Sequence, residues 1–139
     1  MYDGIYYHSD DANTLNFAVQ NTYYPFGGDE CGLLNGVDCN GGSGILTAEY
    51  AGVYNVTYTA VGKGKNDHIY HAMIFVNDTN TENTISHIEA ASGDTVSVNG
   101  IGHIRVEIGD EITLRIADIS GTSVGTVYNW NFMINRIGN

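Results

Sequence analysis

Short runs of alternating or wholly apolar residues, separated by clusters of Gly, Asn, Asp and Ser, follow one another from residue 15 to residue 137. Alternation with a period of two places successive side chains on opposite faces of a strand. The first run, residues 15–19, ends at Gln20-Asn21-Thr22. Residues 45–50 and 53–60 flank Gly52, and residues 69–76 are apolar at almost every position, as in a strand buried on both faces. Residues 84–90, 95–98, 104–108 and 111–117 continue the series. In the last of these Ile112, Leu114 and Ile116 point one way, and Thr113 and Arg115 the other. No stretch longer than a turn carries a 3.6-residue apolar period, so the pattern predicts strands throughout.

The closing run, residues 127–137, says most. Tyr128, Trp130, Phe132 and Ile134 are expected on one face, a core stripe. Asn129, Asn131, Met133 and Asn135 fall on the other, which is too polar for core and lacks the charges of an ordinary solvated face. Uncharged amides can satisfy one another across a symmetric contact, so these four are candidate subunit-interface residues, with Tyr54 and Tyr58 of the 53–60 strand beside them. The expected core is Val56, Ile74, Ile112, Leu114, Trp130 and Phe132. About eight to ten strands suit an all-β, two-sheet antiparallel jelly-roll sandwich.

Two stretches stand outside the strand series. Residues 23–44 contain Gly27-Gly28, Asn35-Gly36 and Gly41-Gly42 and read as a long loop, fit for binding or for wrapping a neighbour. Residues 1–14 read as an arm ahead of a domain spanning residues 15–139. The arm's Tyr2, Ile5, Tyr6 and Tyr7 are candidate anchors on a capsid or stalk, because exposed aromatic side chains often carry protein contacts.

Composition agrees with one β domain. The 139 residues include 18 Gly, 10 Tyr and a single Pro, and 42% are hydrophobic, enough for a core. Sixteen acidic residues against five basic give a net charge of -11, which would repel phosphate backbones and anionic lipid. Nucleic acid and membrane insertion are therefore not expected, and no run approaches the ~18 apolar residues that cross a bilayer. The first residues carry neither the basic nor the apolar region of a secretion signal. Cys31 and Cys39 lack the companions of a zinc site, and their spacing leaves both a local disulfide and two buried thiols open.

Catalytic chemistry finds little support. There is no Gly-x-Ser-x-Gly elbow, Asp110 and Glu111 are adjacent in a turn and point apart, and Gly62-Lys63-Gly64-Lys65 lacks phosphate-loop spacing. No enzymatic activity and no required cofactor are expected. His68 and His71 are three apart and so fall on opposite faces of an extended chain, while His8, His87 and His103 are scattered. Calcium is the ion that Asp29, Glu30, Asp38, Asp78 and Asp110 would suit, since all lie in expected loops. The bound ion, if there is one, stays unassigned.

Several pieces, taken in order, resemble the complement globular-head and tumour-necrosis-factor superfamily. Ala51-Gly52-Val53-Tyr54-Asn55-Val56 is similar to its "aGxYxV" strand start, and Phe75-Val76-Asn77 to its "v-N-g" turn. Ile108-Gly109-Asp110-Glu111-Ile112-Thr113-Leu114 resembles its "L-x-x-G-D-x-V-x-L" hairpin. Gly32-Leu33-Leu34-Asn35-Gly36-Val37 ahead of Ile45-Leu46-Thr47 resembles the phage and bacterial variant. The resemblance runs from Leu33 to the end, and no collagen-like stalk accompanies it. It implies a jelly-roll homotrimer, and in viral settings a virion-surface role as head fibre, capsid decoration or receptor-binding tip, with a capsid or fibre protein as partner. The alternative is a soluble, extracellular module that binds a glycan or a cell-surface receptor.

Overall fold

The alternating runs are strands in the computed structural model, which describes residues 2–8, 13–26, 30–40, 44–91 and 93–139 (of Tyr6, His8 and Asn40, the backbone alone). Among these residues thirteen strands form two antiparallel sheets. Sheet A holds β1 (Asp3–His8), β2 (Asn13–Phe17), β4 (Glu30–Asn35), β7 (Gly52–Lys63), β11 (Val96–Val106) and β13 (Ser123–Gly138). Its order is β11-β7-β13-β1-β4, with β2 on the first part of the same edge of β13 that β1 lines further on. Sheet B holds β3 (Tyr24–Pro25), β5 (Val37–Asn40), β6 (Ile45–Ala48), β8 (Ile69–Val76), β9 (Thr79–Asn80), β10 (Ser86–Glu89) and β12 (Glu111–Asp118). Its order is β10-β8-β12-β6-β5, with β3 on β12 and β9 on β8. The all-β, two-sheet architecture read from the sequence is borne out.

The inner faces meet in one core. Val56, Ile74, Ile112, Leu114, Trp130 and Phe132 are all buried there, together with Leu46 and Ile134. Trp130 stacks on Phe132 at 5.9 Å between ring centroids, and Phe26 approaches Trp130 at 5.7 Å. Each such side chain contributes roughly 1.5–3 kcal/mol by leaving water.

Tyr54 and Tyr58 correct the interface expectation. They are 0% and 1% exposed and lie in the core. The period of two requires it, because residues 54, 56 and 58 share a face and Val56 is inside. The Tyr54 hydroxyl donates to the Tyr50 carbonyl at 2.8 Å. The Tyr58 hydroxyl sits among the carbonyls of Ala72, at 3.1 Å, and Thr84, with the Ser86 hydroxyl at 2.6 Å. A buried phenol needs such partners, and tyrosine at these places is a core residue with its polar end satisfied.

The first residues are a second correction. Residues 3–8 are not an arm but β1, hydrogen-bonded between β13 and β4. Tyr2 stacks on Tyr50 at 4.0 Å with an interplanar angle of 6°. The segment was not legible as a strand because Asp3, Gly4 and a run of tyrosines give no apolar alternation.

Residues 23–44 are likewise not one loop. β3, β4 and β5 run through them, and Gly36 (φ 71°) turns β4 into β5. The Cys31–Cys39 pair, left open by spacing, is a disulfide. Because β4 belongs to sheet A and β5 to sheet B, it ties the two sheets together along one side.

Two further strands differ from the alternation pattern. β11 runs unbroken through Gly100 and Gly102, where a break was expected. A side chain at Gly100 would enter the Tyr58 ring, and one at Gly102 would meet Thr84. In β13 the register slips between Val127 and Asn129, so Tyr128 is the extra residue of a bulge and leaves the Trp130 face, while Val127 turns inward.

Candidate self-association face

Each sheet gives one face to the core, so the chemistry that remains lies on the outer faces. On sheet A that face is a regular grid. Strand registers set Ile5, Met133, Thr57 and Ile101 directly beside one another across β1, β13, β7 and β11. Tyr7, Asn131, Thr59 and Asn99 make the row on one side, and Asp3, Asn135, Asn55 and His103 the row on the other. Asn129 begins a further row with Val61 and Ser97. Alternation alone dictates the grid, because every one of these residues is out of phase with the buried set.

The three rows of four contain a single carboxylate, Asp3, and no lysine or arginine. Asp3 sits in an outer row, so the row through Ile5, Met133, Thr57 and Ile101 and the row through Tyr7, Asn131, Thr59 and Asn99 carry no acidic or basic side chain. Depletion of charge together with exposed apolar side chains distinguishes the centre of an interface from ordinary surface. Met133 is 46% exposed, Ile101 66%, and Leu33 on the outer strand β4 90%. Ile5, Leu33 and Met133, with Asp3 and Gly4, line a shallow hollow of about 170 Å³. At the margin the Tyr7 hydroxyl donates to Glu30 Oε2 at 2.6 Å. That bond and the Glu30 charge raise the Tyr7 pKa, so the phenol stays a neutral donor.

The candidate residues thus separate. Asn129, Asn131, Met133 and Asn135 share the outer face of sheet A, and Ile5 and Tyr7, taken as anchors on an arm, join them. Tyr54 and Tyr58 do not. Asn55, Thr57 and Thr59 take their place on β7, and the inward position of Val56 was sufficient to find them. Ile101 and Ile5 could not be found that way, since only strand register brings them to Met133.

Of the carboxylates read as calcium candidates, Glu30 and Asp38 lie on strands β4 and β5 and not in loops, while Asp78 and Asp110 serve turns. Asp38 accepts from the Cys39 amide at 2.9 Å, Asp110 from the Glu107 amide at 2.8 Å and from Asn77 Nδ2 at 3.1 Å, and Asp78 pairs with Arg115 at 3.1 Å. Asp29 lies outside the described residues, and among those described no three His, Cys, Asp or Glu side chains gather around a common point that could hold a metal. Among the described residues no helix is long and apolar enough to cross a membrane.

No protein-family model and no curated protein matches the sequence. Solved structures do match by shape. The globular domain of zebrafish complement 1qA protein superposes with a TM-score of 0.70 at 11% identity, over 100% of both chains. The Eiger TNF from S. frugiperda gives 0.69 at 9% identity, over 100% of this chain and 94% of that one. The PRD1 vertex protein P5 gives 0.60 at 12% identity, over 99% and 97%. At these identities the likeness concerns the path of the backbone, and by that path the chain has the jelly-roll fold of the complement globular-head and tumour-necrosis-factor type.

Proposed function

We propose that the chain is a non-catalytic structural or attachment module that assembles as a homotrimer through the outer face of sheet A and is displayed on a virion surface. The observation that carries the reading is the central row of Ile5, Met133, Thr57 and Ile101, which holds no charged side chain, in a chain of net charge -11. Three copies of so acidic a chain repel one another, and a face whose centre is free of charged side chains is where they can approach. Likeness in shape to a vertex protein favours the virion setting, and a capsid or fibre protein is the partner that setting implies. Its contact would lie elsewhere than on an arm of residues 1–14, because Asp3–His8 are built into sheet A. The likeness to a TNF supports a second reading, a module that recognises a glycan or receptor outside the cell.

Absolute mass in solution tests the trimer. Light scattering is expected to give three times 15.0 kDa, and a monomer at all accessible concentrations would overturn the assembly. Recovery of the protein with purified virions, against binding to glycans or cells without them, separates the two settings.

A further inference from the structure

On the outer face of sheet B, His71 of β8 and His87 of β10 are directly opposed in the antiparallel register. His71 Nε2 lies 2.9 Å from His87 Nδ1, with the ring centroids 5.1 Å apart and the rings inclined by 53°. The other nitrogen of His87, Nε2, faces Glu89 Oε1 at 3.4 Å. Glu89 is two residues along the same strand and therefore on the same face. On the far side of His71 the opposed residue of β12 is Ala117, which brings no charge to the pair.

Three features of this cluster go beyond a hydrogen bond between two rings. Cross-strand pairing fixes the two side chains at neighbouring roots, so bringing both nitrogens to one ion costs only ring rotation. Metal–imidazole bonds of about 2.0–2.1 Å that meet at 90–110° require ligand nitrogens ~2.9–3.4 Å apart, and the pair already stands within that span. A carboxylate on the non-ligating nitrogen is the arrangement that orients a metal-bound histidine and strengthens it as a donor.

The geometry points to a two-histidine clasp, His71 Nε2 and His87 Nδ1, for a divalent transition cation of the zinc, nickel or copper kind, with Glu89 orienting His87. Imidazole nitrogen selects these ions over calcium or magnesium, which take oxygen. The site is independent of the calcium candidates and of the sheet A face. The ion would fasten β10, the edge strand of sheet B, to β8. Positions on the metal that the protein does not fill would be taken by water or by a donor from outside the chain.

Titration of tag-free protein with Zn²⁺ or Ni²⁺ tests the clasp, read by calorimetry and by the imidazole ¹⁵N resonances. The expected result is one ion per chain, with the His71 and His87 resonances moving and those of His68 and His103 still. His71→Gln and His87→Gln should each weaken binding at least tenfold, Glu89→Gln several-fold, and His103→Gln not at all. Undiminished binding in the doubly substituted His71→Gln, His87→Gln protein would overturn the proposal. So would the absence of heat and of shifts at millimolar zinc, or movement confined to the other histidines. The spectra of the unaltered protein decide the matter even where a variant fails to fold.

Discussion

The two outer faces of the sandwich obey the same alternation and end in different states. On sheet B the chain covers its own surface. Phe75 and Met73 point outward from β8 yet are only 6% and 3% exposed. The Arg115 guanidinium lies 4.5 Å over the Phe75 ring, Tyr23 packs against that ring at 5.2 Å, and Arg115 is held by the Asn77 carbonyl at 2.9 Å and Thr113 Oγ1 at 2.9 Å. Across sheet A, Met133 on the central strand β13 and Ile101 and Leu33 on the edge strands β11 and β4 stay exposed. An apolar position on an outer face is thus either buried by a neighbouring segment of its own chain or left for something else.

Charge placed in the centre of the sheet A grid gives the largest expected effect. Met133→Glu or Ile101→Glu should turn the proposed trimer into monomer, since an unpaired carboxylate in a desolvated contact costs several kcal/mol, on the order of 100-fold or more in association. Arg115→Glu on sheet B should leave the mass unchanged. Equal behaviour of the two faces in light scattering would abolish the contrast.

Next comes the link between the sheets. The chain-entropy cost of a loop as short as that between Cys31 and Cys39 makes the disulfide worth about 2–3 kcal/mol. Reduction, or Cys31→Ser with Cys39→Ser, should lower the denaturant midpoint accordingly and free β4 on the sheet A side before β5.

Acid should act on sheet B. Asp118, at the end of β12, is fully buried. It accepts from Ser123 Oγ at 2.6 Å and from the Ser120 amide at 2.9 Å, and His68 Nδ1 lies 2.6 Å away. Burial by itself would raise the Asp118 pKa, but bonds from Ser123, His68 and the Ser120 amide outweigh it and hold the carboxyl below its ordinary value. A depressed folded pKa contributes stability that is fully present above the unfolded value of about 4 and is lost as pH falls through the folded one. Unfolding curves of Asp118→Asn should lie about 1–3 kcal/mol lower at neutral pH and approach the parent below pH ~4. A constant gap across that range would remove Asp118 from the account.

The smallest effect belongs to the cover itself. Arg115→Met keeps the apolar stem but loses the guanidinium over Phe75 and its polar bonds, so a loss of about 1 kcal/mol in urea unfolding is expected, with no change of mass.

Strand identity was legible wherever alternation was strong. Residues 69–76 were read as a strand and are β8, and the phase of Ile112, Leu114 and Ile116 gave the inner face of β12 directly. The phase of Asn131, Met133 and Asn135 against Trp130 and Phe132 marked the outer face of sheet A before any pairing was known. What failed did so for identifiable reasons. Tyr54 and Tyr58 share their phase with Val56, so the alternation that puts Val56 in the core excludes them from the opposite face. Tyr128 was displaced by a bulge, which shifts phase without any change in pattern. β1, with Asp3, Gly4 and its tyrosines, is held as a strand by hydrogen bonds from β13 and β4 on both sides, a cause that lies outside the segment.

By itself, then, the sequence determined the period of two, the all-β class and the inward or outward direction of most strand residues, because these depend on local backbone geometry and on the burial of apolar side chains. Tertiary structure decided which outward residues become neighbours. The row of Ile5, Met133, Thr57 and Ile101, the opposition of His71 and His87, and the union of two sheets by Cys31 and Cys39 all join positions distant in the chain. Register between strands is fixed by core packing over the whole sandwich, and no local pattern carries it.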